Sequence, residues 1–494
     1  MTNSHTECKN SAEQQIEFTT PSIDRCQESE NSKITLTEKS ELTIVHLPVA
    51  SWENILKYKL DLADGSCLQD PGLQAGMKWT EGLLSMEPIW TLDPCLDAIA
   101  EVAAEELFKH NLIAASSNPV EASIEFYGAF NKLYSIALKD NSKDESDHEH
   151  NDTSYLMRVA LPVDPKATTL SETATINFLQ RNTTIPVPGI ISYSSSRQES
   201  NKIGFEWILM ERVPDAYPLR KIWQSMTWAA KEKLVEDICD IVYQLFHIRS
   251  DAIGSIYQLQ TSCLRESFRV SQLVTLEIFW NDHVHLEISR GPFASTKEWL
   301  YTRLQLVLHD CQMQLAIDLD KREFEKEYSE IQGLACRLLA ILPTIFSAAN
   351  PEEFSLLHDD LSGSNIVVDQ SGALKAVVDW ECTSTMPLFK CCQMPQLLLG
   401  EDRDEIPDHN LYDMTGDRRG WFEDLEEYEF TRLREHFLHI MQARYPSWAE
   451  IHHDKGIQAQ FDLMISKCNR FDWEEVKEWI DEIEGRVRND IGDS

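Results

Sequence analysis

The chain has 494 residues, 42% of them hydrophobic, enough for two or three structural units with sizeable cores. Its 82 acidic residues against 45 basic ones give a formal charge of -37, and so negative a surface repels DNA, RNA and anionic lipid. No apolar run reaches the ~18 residues that would suggest a membrane span, and 12 scattered cysteines without metal-ligand spacing read as reduced thiols of a cytosolic protein. The first residues lack both an apolar signal core and an arginine-rich amphipathic pattern, so a cytoplasmic location is the default expectation.

Residues 1 to about 40 are polar, without hydrophobic periodicity, and are expected to form a disordered leader. Residues 41-115 are expected to form a helical N-terminal extension. In it Asp93 is placed to cap a helix with Pro94 in its first turn, and Leu96, Ile99, Ala103 and Leu107 share one face. Between 121 and 138, β-branched and aromatic residues flank Gly128, which predicts a strand, a turn and a strand. The charged stretch that follows, with His148 and His150, reads as a flexible hairpin tip and not as a metal site. A third strand is expected over Tyr155-Leu161, then a helix capped by Ser171 and running through Leu179. Ile185-Pro186-Val187-Pro188 forces an extended chain, and a last strand covers Phe205-Val213. The order predicts a small antiparallel sheet with one helix, over residues 116-213.

Residues 214-494 read as mainly helical. Leu234, Ile238, Ile241, Val242, Leu245 and Phe246 form one core stripe, and helices are expected near 297-318, near 326-348 and from about 422 onward. One β interruption stands out, a hairpin from Asn365 to Trp380 that turns at Gln370-Ser371-Gly372. It is framed by polar residues that a plain core does not need: His358-Asp359-Asp360-Leu361-Ser362-Gly363-Ser364-Asn365 before it, and Asp379 at its far end. A hairpin brings its ends together, so Asp360, Asn365 and Asp379 can converge. Two carboxylates and a carboxamide are hard oxygen groups suited to magnesium, and phosphoryl transfer needs both such a metal and a carboxylate facing the attacking hydroxyl.

The run HDDLSGSNIVVD followed by VVDW resembles the catalytic segment of aminoglycoside phosphotransferases and of related choline and fungal phosphotransferase-like proteins. The resemblance covers about residues 121-395. It implies an α+β, protein-kinase-like bilobal fold, with a small antiparallel-sheet N-lobe and a larger, mainly helical C-lobe carrying the hairpin 358-380. It also implies ATP and Mg2+ as cofactors, Asp360 as catalytic base, Asn365 and Asp379 as metal ligands, and His358 as support for the loop. In such folds a helix acid pairs with a strand base near the phosphates; Glu172 is the candidate acid. Backbone groups of Glu211 and Val213 would meet the adenine. Two positions depart from the pattern. Arg158 stands where a lysine is expected, a substitution that fungal relatives often carry, and the glycine-rich loop is reduced to Gly128 in GAFN.

The resemblance therefore implies a kinase that phosphorylates a hydroxyl of a small molecule. The acidic stretches GEDRDEIPDHN and WFEDLEEYEF would suit a cationic, amine-bearing substrate, although surface solvation explains such runs more simply. The alternative is a catalytically weak or inactive kinase-like protein that binds a ligand or a partner.

Overall fold

In the computed structural model the described residues are 43-50, 74-82, 86-114, 120-138, 155-197, 200-259, 267-316, 324-346, 351-408, 412, 418-454 and 456-492. The expected leader and the charged hairpin tip, with His148 and His150, lie outside them.

Five strands build the N-lobe sheet: β4 (Val120-Tyr127), β5 (Asn131-Leu138), β6 (Tyr155-Ala160), β7 (Ile190-Ser194) and β8 (Glu206-Glu211), all paired antiparallel in the order β4-β5-β6-β8-β7, with β5 alternating in burial and β6 and β8 buried along most of their length. Before them in the chain come β1 (Val45-Leu47), the hairpin β2 (Met77-Glu81) and β3 (Met86-Trp90), and helix α1 (Leu96-Lys109). Among its described residues, the segment expected as a helical extension thus holds three strands and one helix. Ile99, Val102, Ala103 and Leu107 of α1 pack on Ala122, Ile136, Met157 and Leu209 of the sheet, so the helix belongs to the N-lobe core. Its N-cap is Cys95, not Asp93, whose carboxylate instead pairs with Lys132 on β5. Leu96, expected on the buried face, is exposed.

Helix α2 (Ala167-Asn182) follows β6. Ser171 does not cap it but lies buried in its second turn. The end is held by the distant carboxylate of Glu206, which accepts a hydrogen bond from the Lys166 backbone N-H at 2.6 Å. A carboxylate at a helix N-terminus meets both an orphan donor and the positive end of the dipole.

The C-lobe is built on helices α3 (Trp228-Phe246), α4 (Leu276-Phe279), α5 (Thr296-Ala316), α6 (Glu325-Ile345), α7 (Arg418-Arg444), α8 (Pro446-His453), α9 (Ile457-Ser466) and α10 (Trp473-Gly492). Thr227 caps α3 by accepting from Ala230 N, and the expected apolar stripe of α3 is buried. The hairpin is not the only β structure here. A six-stranded sheet joins β1, β10 (Ile248-Ser250), β11 (Gly254-Leu259), β12 (Ser267-Ser271), β13 (Phe354-Leu357) and β16 (Ser384-Pro387) in the order β1-β10-β13-β16-β11-β12. These strands are three to six residues long and pair over long sequence distances, which leaves little local periodicity to read. The hairpin itself is β14 (Ile366-Val368) and β15 (Leu374-Val377), extended on its β14 side by β9 (Tyr217-Pro218). Among the described residues no helix is long and apolar enough to cross a membrane.

Candidate active site

The hairpin places its polar ends side by side because its two strands bury Ile366, Val368 and Val377 in the C-lobe core with Leu361 and Trp380. At the tip, Asp369 accepts hydrogen bonds from the Ser371 and Ala373 backbone N-H groups, and Gly372 takes the left-handed φ of +87° that the turn requires. At the other end Val378 N donates to Asn365 O at 2.9 Å, closing the hairpin where the chemistry is expected.

There the Asn365 amide donates from Nδ2 to Asp360 Oδ2 at 2.8 Å and to the Asp360 carbonyl at 2.9 Å. This orients the carboxamide, leaves its Oδ1 as a free acceptor, and commits one Asp360 oxygen while the residue stays exposed. His358 is buried: its Nε2 lies 3.2 Å from Val378 O and its ring packs on Trp380 at 4.6 Å. Burial pulls its imidazole below the ordinary value, against the carbonyl of Val378 and the nearby Asp360 and Asp359. The ring therefore braces strand β13 against the end of β15.

Asp379 is held differently. Its φ is +64°, a left-handed conformation uncommon for a residue with a side chain, and Trp380 beside it is fully buried with its indole N-H on Val377 O at 2.9 Å. Among the described residues no hydrogen-bond donor reaches the Asp379 carboxylate. Burial, then the charge of Glu381, raises this carboxyl to about 7, with Arg158 pulling the other way and Asp360 adding to the rise.

Above this turn, Arg158 on β6 is 6% exposed and Glu172 on α2 is 2% exposed, and their charged ends form an ion pair. Glu172 sits in the second helical turn, not at the dipole of the first. Arg158 carries a second carboxylate that the sequence reading missed, Glu381, which also accepts from Asn131 Nδ2 at 3.1 Å. Burial alone would lower the Arg158 pKa, but Glu172, Glu381 and Asp379 raise it, so the guanidinium stays charged. Burial pushes Glu172 upward, opposed by Arg158 and reinforced by Glu381 and Asp379. The signal for Glu381 was in plain view, as the residue that completes VVDWE, but its partners are 223 and 250 positions away.

Gly128 opens the β4-β5 loop. Its N-H donates to Asn131 O at 2.8 Å, and a Cβ there would come within 3.0 Å of the same carbonyl. Of the two residues expected to face adenine, Glu211 has its backbone N-H occupied by Gly189 O at 2.8 Å. Val213, beyond the strand, makes no backbone hydrogen bond among the described residues. Among those residues there is also no cluster of three or more His, Cys, Asp or Glu side chains that would cage a metal. The donor set fits magnesium all the same, which takes one or two protein carboxylates and completes its octahedron with phosphate and water. Asp379, which no donor reaches among the described residues, the Oδ1 of Asn365, and three carboxylates (Glu172, Asp379, Glu381) around one guanidinium leave negative charge for a cation to balance.

Residues 138-389, half of the chain and the whole of the region just described from β6 to β16, match the model of the phosphotransferase enzyme family to which the aminoglycoside phosphotransferases belong. The chain belongs to that family, and it has the mixed α+β, kinase-like organisation of a strand-rich N-lobe and a helix-rich C-lobe. It is 24% identical, over 305 residues, to subtelomeric hrmA-associated cluster proteins of two Aspergillus fumigatus strains, a match that covers 53% of this chain and 57% of each relative. The chain thus spans a little over half the length of those relatives. Similar solved structures include the gentamicin complex of APH(2")-IIa (12% identity, 80% of this chain and 96% of that one, TM-score 0.39). Another is ADP-bound aminoglycoside phosphotransferase APH(2'')-Ib (12%, 77% and 95%, 0.38). A third is an ethanolamine kinase of Plasmodium vivax (14%, 74% and 85%, 0.34).

Proposed function

We propose that the protein is an ATP- and magnesium-dependent phosphotransferase that acts on a hydroxyl of a small molecule. The observation that supports this most is the Asp379 carboxylate, held without a donor in left-handed backbone beside the Asn365-Asp360 hydrogen bond. Bound magnesium-ATP would supply the transferable phosphoryl group with its charge partly neutralised. Asp379 and the free Oδ1 of Asn365 would hold the metal. Asp360 has one oxygen fixed by Asn365 and the other open, which suits a base that orients and accepts the proton of an acceptor hydroxyl. His358 keeps the two hairpin ends in register and does not reach the reacting atoms. Arg158 would meet phosphate oxygens, with Glu172 fixing its fork. The β4-β5 loop from Gly128 would cover the phosphates, and Val213 offers a backbone group toward adenine.

The substrate class rests on chemistry alone: the acidic stretches of the C-lobe would favour a hydroxylated amine. Magnesium-dependent ATP binding by calorimetry, followed by labelled-phosphate transfer to a panel of hydroxylated amines, tests the proposal. A parent protein that binds no ATP with or without magnesium would overturn it. The second reading, an inactive kinase-like binding protein, draws on one observation. Arg158 is already engaged by two carboxylates, Glu172 and Glu381. It predicts nucleotide binding without transfer, or no nucleotide binding at all.

A further inference from the structure

We propose that Glu381 is a positioning residue that ties the β4-β5 loop to the Asp379 turn and sets how that loop closes over the nucleotide. Its functional sense rests on the kinase reading above; its structural content does not.

Glu381 leaves a rigid place in the chain. Asp379 and Cys382 on either side of the Trp380-Glu381 pair both have left-handed φ, +64° and +61°, and Trp380 is locked in the core. The Glu381 carboxylate then divides between two separate pieces of the N-lobe. Oε1 accepts at 3.1 Å from Nδ2 of Asn131, the first residue of β5 where the loop ends, and Oε2 meets the Arg158 guanidinium on β6. The other polar atom of the Asn131 side chain, Oδ1, is buried without a hydrogen-bond donor, so the bond to Glu381 is what orients that amide.

The loop residue before it is anchored to the C-lobe by apolar contact. Phe130 sits edge-on to Phe279 at 5.7 Å and to Trp280 at 6.4 Å, and Trp280 is backed at 5.1 Å by Trp79 from the β2-β3 hairpin. The Phe130 carbonyl accepts from Leu161 N at 2.7 Å. The last loop residue and the first residue of β5 are thus fastened across the cleft, one by an aromatic seat and one by a carboxylate. The hairpin that backs the seat lies upstream of the residues matched by the family model. A loop poor in glycine has less freedom to find its closed position alone; fixed contacts at Phe130 and Asn131 supply that position instead.

The test reads amide hydrogen exchange at Gly128 and Leu161 in the ligand-free protein, alongside the affinity for magnesium-ATP. Asn131→Ala and Glu381→Ala should each raise exchange at both amides by about tenfold, the scale of one hydrogen bond to a charged group. The double variant should be no worse than the poorer single one, because both cut the same link. Glu381→Gln retains an acceptor for Asn131 and should restore most of the protection, which a role limited to neutralising Arg158 would not. Trp280→Ala should loosen the same two amides through the other anchor. Affinity for magnesium-ATP should fall in proportion to loop exchange. Unchanged exchange in folded Asn131→Ala and Glu381→Ala, or additive effects in the double variant, overturns the proposal. Should Glu381→Ala fail to fold, Asn131→Ala decides, since it leaves both partners of Arg158 in place. A parent that shows the expected exchange pattern but binds no nucleotide would sink the kinase reading alone.

Discussion

The two charged regions that meet at the cleft are built on opposite terms. Arg158 and Glu172 are buried and Glu381 is half-buried beside them, so that the guanidinium is matched by carboxylates. Close by, Asp360 is exposed and, among the described residues, no hydrogen-bond donor reaches the Asp379 carboxylate. Buried charges persist only when paired, so the first region is structural before it is anything else. A carboxylate held in strained backbone without a donor is not explained by stability, and strain of this kind tends to sit where a ligand is received. The contrast separates residues whose loss should unfold the protein from residues whose loss should silence it.

The largest effect is expected where that separation is sharpest. Asp379→Ala and Asp360→Ala should each lower phosphoryl transfer by ~10³-fold or more, the scale of a positioned acid-base group or metal ligand. Their urea midpoints should stay close to that of the parent, because neither side chain makes a contact that holds the fold. Asp379→Ala should also abolish the magnesium dependence of ATP binding, whereas Asp360→Ala should leave it intact. A midpoint that collapses in Asp379→Ala would mean that the turn is structural and the contrast wrong.

Glu172→Ala tests the other side. It leaves Arg158 buried with one partner fewer, and removing one member of a buried pair costs about 3-5 kcal/mol. Denaturant unfolding should report a loss of that order, and Glu172→Gln should lose less, since it retains a hydrogen-bond acceptor. A surface-like loss below about 1 kcal/mol would show that water reaches this pair.

These two regions were not equally legible. Asp360, Asn365 and Asp379 could be read because one short hairpin makes distant positions neighbours, and its turn is announced by Asp369 and Gly372. Arg158 and Glu172 were readable only through the family pattern. Glu381 was missed because its partners lie on other elements, and nothing in its immediate sequence points to them. The same holds for β1, which pairs with β10 some 200 positions on, and for Asp93, whose place before a helix suggested a cap but whose charge is taken by Lys132. Local chemistry is read from sequence; choices made between distant partners are not.

Glu206 offers a pH test of how a buried carboxylate outside the cleft is tolerated. Burial raises its carboxyl from the ordinary 4.5 to about 7, against the hydrogen bonds from Lys166 N and Thr169 and the charge of Arg197. A carboxyl with a raised folded-state value binds more protons in the native than in the unfolded protein between about pH 4.5 and 7, so stability falls as pH rises through that window. Glu206→Gln should remove this fall and leave the protein as stable or more stable at pH 8, by a difference on the order of 2 kcal/mol. Gln can still accept from Lys166 N, so α2 should remain capped. Thermal unfolding from pH 5 to 8 checks the slope; an unchanged slope in the variant would assign it to another group.

The smallest effect is expected farthest from the metal end of the hairpin. Gly372 has φ +87° at the tip, and a Cβ there would meet Met226 Cε at 2.5 Å. The methionine end can swing aside, so the backbone should decide the cost, about 1-2 kcal/mol for an L-residue forced into the left-handed region. Asp369 would still gather the Ser371 and Ala373 amides, so the turn should form, at reduced stability. The strands beyond it are pinned independently, by the Asn365-Val378 bond and by the His358 ring on Trp380. Gly372→Ala should therefore lower the unfolding midpoint and leave transfer rate and ATP affinity within about twofold of the parent, a scale well below one lost hydrogen bond to a charged group. If activity fell with stability, strain at the tip would be reaching Asp379 through β15, and the two ends of the hairpin would have to be treated as one mechanical unit.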